Sequence, residues 1–311
     1  MSNMDTSPNA NSPTKPAISG ISRRELMLTA GAGLAAVRSL SAQDAALTAR
    51  QVVERIQKNV GIPWREQTVD NFKDGSNPDR PLTGIATTMV ATFELLHRAA
   101  AAKRNLIIVH EPTYYSNLDD PKDVSSDPMF RLKRDFVAAN NLSVFRFHDH
   151  WHGRKPDGII DGMAVGLGWK KYQNPDNARL FVLPETTLNA LAIQIRDQLK
   201  IRAIRVVGDP HVKVSRAAFN PGSTGLNLVM RYFSGDDVDV FVCGEPREWD
   251  AVEYARDSIA AGKKKGLIVL GHDMSEERGM EECARWLTGF IPEVPVEFMP
   301  SGEAFWSPTV S

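Results

Sequence analysis

The sequence predicts an α/β protein, and three observations carry that expectation. Short apolar runs recur at Leu106-Ile107-Ile108-Val109, Val238 to Val242 and Leu267 to Leu270; runs this short between turn signals read as buried strands. From Leu188 onward, Leu188, Leu191, Ile195 and Leu199 fall at the spacing of one helix face. Between Gln43 and the C-terminus the two kinds of segment alternate, the pattern that builds helices onto a sheet.

In order, a first helix covers roughly Leu47 to Asn59, and a loop rich in Asp, Asn, Gly and Pro follows to Pro81. Ala86 to Ala102 reads as a helix that tolerates Thr92 and Glu94. The strand Leu106 to Val109 precedes a long loop over 113 to 128, where Tyr, Asn, Asp, Pro and Ser accumulate. Leu142 to Phe147 alternates like a strand, and the Leu188 helix leads to a strand at Ile204 to Val207, ended by Gly208-Asp209-Pro210. The strands at Val238 to Val242 and Leu267 to Leu270 are each followed by a helix. No internal repeat or coiled coil is visible.

Composition narrows the function. A chain of 311 residues with 42% hydrophobic content can bury one large core or two modest ones. The formal net charge is -1 and Lys and Arg are dispersed, so the footprint of a nucleic-acid binder is missing. No apolar run approaches the ~20 residues needed to span a bilayer, so stable membrane insertion of the mature chain is not expected. Cys243 ends an apolar run and Cys283 lies in a helical pattern; both read as buried free thiols rather than a disulfide or thiolate metal site.

The first 42 residues read as a leader separate from the domain over 43–311. The stretch to Ser22 is rich in Ser, Asn, Pro and Thr without periodicity. Then come Arg23-Arg24, a modest apolar run from Leu28 to Val37, and small residues ending Leu40-Ser41-Ala42. That order matches a twin-arginine export signal, cut after Ala42 or Ser41, and implies a periplasmic protein. The alternative is a short N-terminal helix capped by Ser22.

Three segments bring ligand-type side chains to the ends of expected strands: His110-Glu111-Pro112, His148-Asp149-His150-Trp151-His152 and His272-Asp273-Met274-Ser275-Glu276. Sites in α/β folds form just beyond the carboxyl ends of strands. His148 and His152 are four apart, as are His272 and Glu276, which puts each pair on one face of a helical turn. His110 and Glu111 point in different directions from an extended backbone, so one loop can serve two metals. Imidazole and carboxylate without thiolate suit Zn, Fe, Mn, Co or Ni. Against this, a lone histidine beside a strand is usually structural; here five of the seven histidines fall in the three segments.

From about Asp70 to about Glu303 the chain resembles the Nif-three-like dinuclear metal-centre family, also labelled GTP cyclohydrolase I type 2 homologues. The family's His-His-Pro appears as His110-Glu111-Pro112, and its His with an Asp four residues on as His148 and His152. A Gly and a helix ending in Leu-Gly follow at Gly158 and Leu167-Gly168. Gly-Glu stands at Gly244-Glu245, and Gly-His-x-x-x-Glu at Gly271-His272 and Glu276. The resemblance implies two interleaved α/β lobes with the metal site between them. It also implies a pair of divalent cations held by His110, Glu111, His148, His152, His272 and Glu276, and a homo-oligomer. Relative to the family, a His has become Glu111 and an Asp has become His152, an exchange that keeps the ligand types and places both residues on the same cation from opposite sides.

Other residues have weaker claims. Asp149 and His150 are either partners that orient ligand imidazoles or surface groups, and Glu245 reads as a helix cap. Tyr114, Tyr115 and Trp151 line a cleft or pack in the core, and His97 and His211 read as structural. The expected activity is hydrolysis of a small-molecule substrate by a metal-activated water, with Glu276 moving the proton. GTP is discounted, because an exported protein rarely meets it and no GxxxxGK[ST] loop is present. The alternative is a non-catalytic metal-binding or scaffold protein.

Overall fold

The computed structural model describes residues 46–308; the leader and export signal expected over 1–42 lie outside the described residues. Two sheets organise the chain. The first has the order β3-β2-β1-β9, with β1 (Ile85–Thr88), β2 (Leu106–Val109), β3 (Ser143–Arg146) and β9 (Val296–Phe298) all parallel. The second has the order β4-β6-β7-β8-β5. Its centre, β6 (Lys213–Thr224), β7 (Val240–Pro246) and β8 (Gly266–Val269), is parallel. Its edges, β4 (Leu180–Thr187) and β5 (Arg205–Val207), run antiparallel. The chain builds three strands of the first sheet, then all of the second, and returns to the first for β9. The lobes are therefore interleaved.

Residue alternation along the strands explains the layers. In β2, Ile107 and Val109 pack with Leu95, Leu96 and Ala99 of α2 (Phe93–Ala101) and Val137 of α3 (Pro128–Ala139). Leu106 and Ile108 face the other way, into a core shared with Val240 and Val242 of β7 and Ile268 of β8. In β7, Phe241 and Cys243 face an outer cluster with Val229, Tyr232 and Phe233 of α7 (Leu226–Ser234) and Ala255 of α8 (Glu253–Ala260). Strands enclosed on both faces need continuous apolar runs, and that is how they read in the sequence.

The shared core also holds α1 (Ala49–Asn59), α5 (Gly158–Gly166), α6 (Leu188–Leu199) and α9 (Glu277–Thr288). Thr48 opens α1 with a reciprocal capping box to Gln51. Helices α5 and α9 cross very closely: a Cβ on Gly162 would stand 2.5 Å from Arg278 O, and one on Gly279 2.6 Å from Ile159 Cα. That contact anchors the start of α9, the segment that follows Glu276. Among the described residues no helix is long and apolar enough to cross a membrane.

One expectation needs correction, and several elements carried none. The helix expected over Ala86–Ala102 is a strand and a shorter helix: β1 occupies Ile85–Thr88, and α2 begins after Thr92, whose hydroxyl accepts from Leu95 N. Pairing on both sides with β2 and β9 outweighs a weak helical period. Helix α3 had no sequence expectation: it starts at Pro128, where the expected 113–128 loop ends, and Asp127 caps it. Strands β4 and β6 had no sequence expectation, because Pro184 and Pro221-Gly222 interrupt them and the pairing register shifts there. Both cysteines are buried and free, with burial pushing the Cys243 thiol up to about 12.

Candidate metal centre

His110 and Glu111 follow β2 directly, and His148 follows Phe147 just beyond β3. His148 precedes the single-turn helix α4 (Asp149–Gly153), and His152 N donates to His148 O at 3.0 Å. This turn aligns both imidazoles on one side. His272 and Glu276 flank the 3-10 turn Asp273–Ser275 between β8 and α9, so their turn is tighter than the expected α-helical one. The carboxyl ends of β2 and β3 in one sheet and of β8 in the other thus meet.

All six side chains converge. His110 Nε2 lies 3.2 Å from His152 Nε2 and 3.6 Å from Glu276 Oε2. His272 Nε2 lies 3.1 Å from Glu111 Oε1 and 3.5 Å from Glu276 Oε2. His148 Nε2 to Glu111 Oε1, and His152 Nε2 to Glu276 Oε1, are each 3.9 Å. Donors bound tetrahedrally at ~2.1 Å from one cation stand roughly 3.4 Å apart, and the observed separations bracket that value.

Every imidazole has its other nitrogen tied. His110 Nδ1 donates to Phe147 O at 3.2 Å, His148 Nδ1 to Asp149 at 3.0 Å, His152 Nδ1 to Asp157 at 3.1 Å and His272 Nδ1 to Glu245 at 2.9 Å. Such contacts fix the ring and leave Nε2 for a metal. Asp149 and Glu245 therefore orient ligand-type histidines, and Glu245 is not the helix cap expected of it. Asp157 was missed in the sequence, though it sits five residues after His152 and also caps α5.

The electrostatics of the cluster follow from its burial and its mixed charges. Burial, together with the neighbouring His152 and His148, holds His110 well below the usual histidine range. Burial works against a charge on His272, yet Glu111, Glu276 and Glu245 push it up to about 11. Asp157 raises His152 against the same penalty. Protons on His272 and His152 thus occupy the middle of the cluster, and His152 can donate to the bare Nε2 of His110. Glu276 is 3% exposed, and its Oε2 has no hydrogen-bond partner among the described residues. A buried carboxylate oxygen left so is costly unless a cation meets it. The donor set and this orphaned oxygen fit divalent metal.

Two sets of donor atoms lie mutually within 4.8 Å: His110, His148 and His152, and His110, Glu111 and Glu276. Glu111 and His152 fall in different sets. The reason is directional: Glu111 leans toward His272 and His148, and His152 toward His110 and Glu276.

Several supporting residues carried no sequence signal. Arg146 is 2% exposed and bonds His110 O at 3.0 Å, Asn117 O at 2.7 Å and Glu111 Oε2 at 3.2 Å, leaving Oε1 for the cluster. Asp70 accepts from the backbone N–H groups of His148, Asp149 and His150. Gly222 (φ +65°) brings β6 backbone against the ligands; its amide donates to Ser275 Oγ at 2.8 Å. His150 is structural: it is buried, bonded to Asp70 and Arg65 N, and stacked on Trp64 at 3.7 Å. Trp151 and Tyr114 are core residues, Tyr115 is exposed, and His97 packs between Phe93 and Phe136. The cluster floors a cleft of about 1170 Å³.

Comparison with known proteins identifies relatives of the chain. The family model described as Duf34/NIF3 (NGG1p interacting factor 3) matches residues 40–303. A GTP cyclohydrolase 1 type 2 homolog of Clostridium acetobutylicum is 25% identical over 150 residues, covering 45% of this chain and 54% of that protein. The match therefore spans about half the length of that relative. The namesake in Buchnera aphidicola is 22% identical over 209 residues, 65% of this chain and 78% of that one. A Staphylococcus aureus hypothetical protein superposes with a TM-score of 0.65 at 18% identity, covering 82% of this chain and 97% of its own. A Bacillus cereus protein related to NIF3 gives 0.64 at 13% identity, covering 86% and 100%. At these identities the two structures speak for the fold alone.

Proposed function

We propose, from the premise that the chain belongs to the Duf34/NIF3 family, that it is a metal-dependent hydrolase of a small-molecule substrate. One observation supports this most: four imidazole Nε2 atoms and two carboxylates converge, each imidazole is pinned through Nδ1, and all but the buried His110 line an open cleft. His110, His148 and His152 would hold one divalent cation and Glu111, Glu276 and His272 a second, from among Zn, Fe, Mn, Co and Ni. When bound, such a pair supplies Lewis-acid activation of water at neutral pH and polarises the bond attacked. Glu276 touches both halves of the cluster and has an oxygen without a hydrogen-bond partner, so it is the group assigned to hold the proton. Asp149, Asp157 and Glu245 keep the imidazoles in the ligating tautomer.

Export to the periplasm belongs to this proposal and rests on the Arg23-Arg24 leader. Assembly into a homo-oligomer rests on family resemblance. A non-catalytic metal carrier is the competing reading. The open cleft favours catalysis, since a structural site is coordinatively closed. The test is a screen of small phosphoesters and cyclic amides with metal-loaded and chelator-treated protein. Turnover that vanishes on chelation and returns with one of the five metals is expected; activity that survives chelation in full refutes the proposal.

A further inference from the structure

We propose that the cleft selects the phosphate group of a small phosphoester, with Arg179 as the side chain that grips it. This deepens the hydrolase reading and rests on the same metal centre. Four cationic side chains line the cleft: Arg65, Arg146, Lys155 and Arg179. Two of them have carboxylate partners, Arg65 with Asp149 at 3.5 Å and Arg146 with Glu111 at 3.2 Å. Lys155 is exposed at the rim.

Arg179 differs from these three. It is half-buried at the foot of β4, close enough to His152 to oppose its protonation. Among the described residues no carboxylate lies within 4.0 Å of it. Among the described residues its one side-chain hydrogen bond joins Nη1 to Asn220 Oδ1 at 2.7 Å. Asn220 is itself 7% exposed and fixed by its Nδ2 donating to Thr224 Oγ1 at 2.9 Å. The guanidinium is therefore held by a neutral, immobile partner, with Nε and Nη2 free to donate. A planar fork in that state matches two oxygens of a phosphate.

Charge makes this recognition conditional. Five carboxylates share the cleft with the four cations: the ligand-type Glu111 and Glu276, Asp149 and Asp157 behind the imidazoles, and Asp176. Without metal these charges nearly cancel, so the lining offers an anion little net attraction. Two divalent cations would make it strongly positive. A low-dielectric cleft focuses such a field, so phosphate affinity should appear only on metal loading, with Arg179 supplying the directional contact.

Calorimetry with inorganic phosphate tests this on the full chain. Metal-loaded wild type should bind phosphate, chelated wild type should not, and Arg179→Gln should bind at least tenfold more weakly at unchanged metal content. Asp176→Asn, at the exposed edge of the cleft, should bind a few-fold more tightly, which keeps the proposal testable if Arg179→Gln folds poorly. Equal affinity in wild type and Arg179→Gln, or no gain in Asp176→Asn, overturns it. The two readings also fail separately. Chelator-sensitive hydrolysis of an uncharged cyclic amide without phosphate binding would remove the phosphate cradle and keep the hydrolase. Metal-dependent phosphate binding through Arg179 without turnover of any phosphoester would do the reverse.

Discussion

Replacing Gly222 by Ala should empty part of the metal centre while leaving the fold standing. A Cβ there would lie 2.4 Å from Glu276 Oε1, 3.1 Å from its Cδ and 3.3 Å from His272 Nε2. Non-bonded heavy atoms prefer about 3.5 Å, so the carboxylate must retreat by roughly 1 Å. Metal–ligand distances tolerate only about 0.2 Å, and the Glu276 ligand is therefore lost to at least one cation. A weakening of at least ~10–100-fold, about 1.4–2.7 kcal/mol, is expected by comparison with lost ligand-orienting contacts. The substitution also strains the backbone, by about 1–2 kcal/mol for a non-glycine residue at positive φ, or a few degrees in Tm for a domain of this size. Gly61→Ala isolates that strain: Gly61 has φ +80° and nothing within 4 Å of an added Cβ. Elemental analysis and metal titration of both variants, beside thermal melts, separate the two effects. If Gly222→Ala keeps the metal content and affinity of Gly61→Ala, the placement of Gly222 against the ligands is wrong.

Metal binding should expel protons. His272 is pushed up to about 11 by Glu111, Glu276 and Glu245 against its burial, so it is protonated at pH 8 and must become neutral to ligate; calorimetry in buffers of different ionisation enthalpy should find at least one proton released. Trp151→Ala should destabilise the fold by about 3–5 kcal/mol, because the ring is fully buried and Nε1 donates to Gly279 O at 3.2 Å; urea unfolding that shows under 1 kcal/mol would contradict this. Asp239 is held at about 2, since bonds from Arg216 and the Ser215 amide outweigh its burial. A folded value below the unfolded one, ~3.9, stabilises fully above that pH and is lost as pH falls toward 2. Asp239→Asn should flatten this stretch of the acid limb in a pH series of melts.

Much of the metal centre was legible because chelation imposes spacing. His148 and His152 had to share a turn, and His272 and Glu276 had to flank one, whatever the packing around them. Asp70, Arg146 and Gly222 were illegible for the opposite reason. Each acts across a long sequence separation, through backbone amides or carbonyls that leave no trace in residue type. Arg146 reads simply as the last residue of an alternating strand. In the fold, the buried strands of both sheets declared themselves as apolar runs, whereas β1 borrows its stability from β2 and β9 and reads locally as helix. Strand β6 hid behind Pro221 and Gly222, the residues that bend it toward the ligands.

The interleaved path has a kinetic consequence. His110, Glu111, His148 and His152 come from the first sheet, and His272 and Glu276 from the turn after β8 of the second. The complete binding site exists only once both lobes have docked. A cation captured only then should leave the refolding rate nearly untouched and slow the escape from the native basin, acting as a latch on the finished molecule rather than a seed for it.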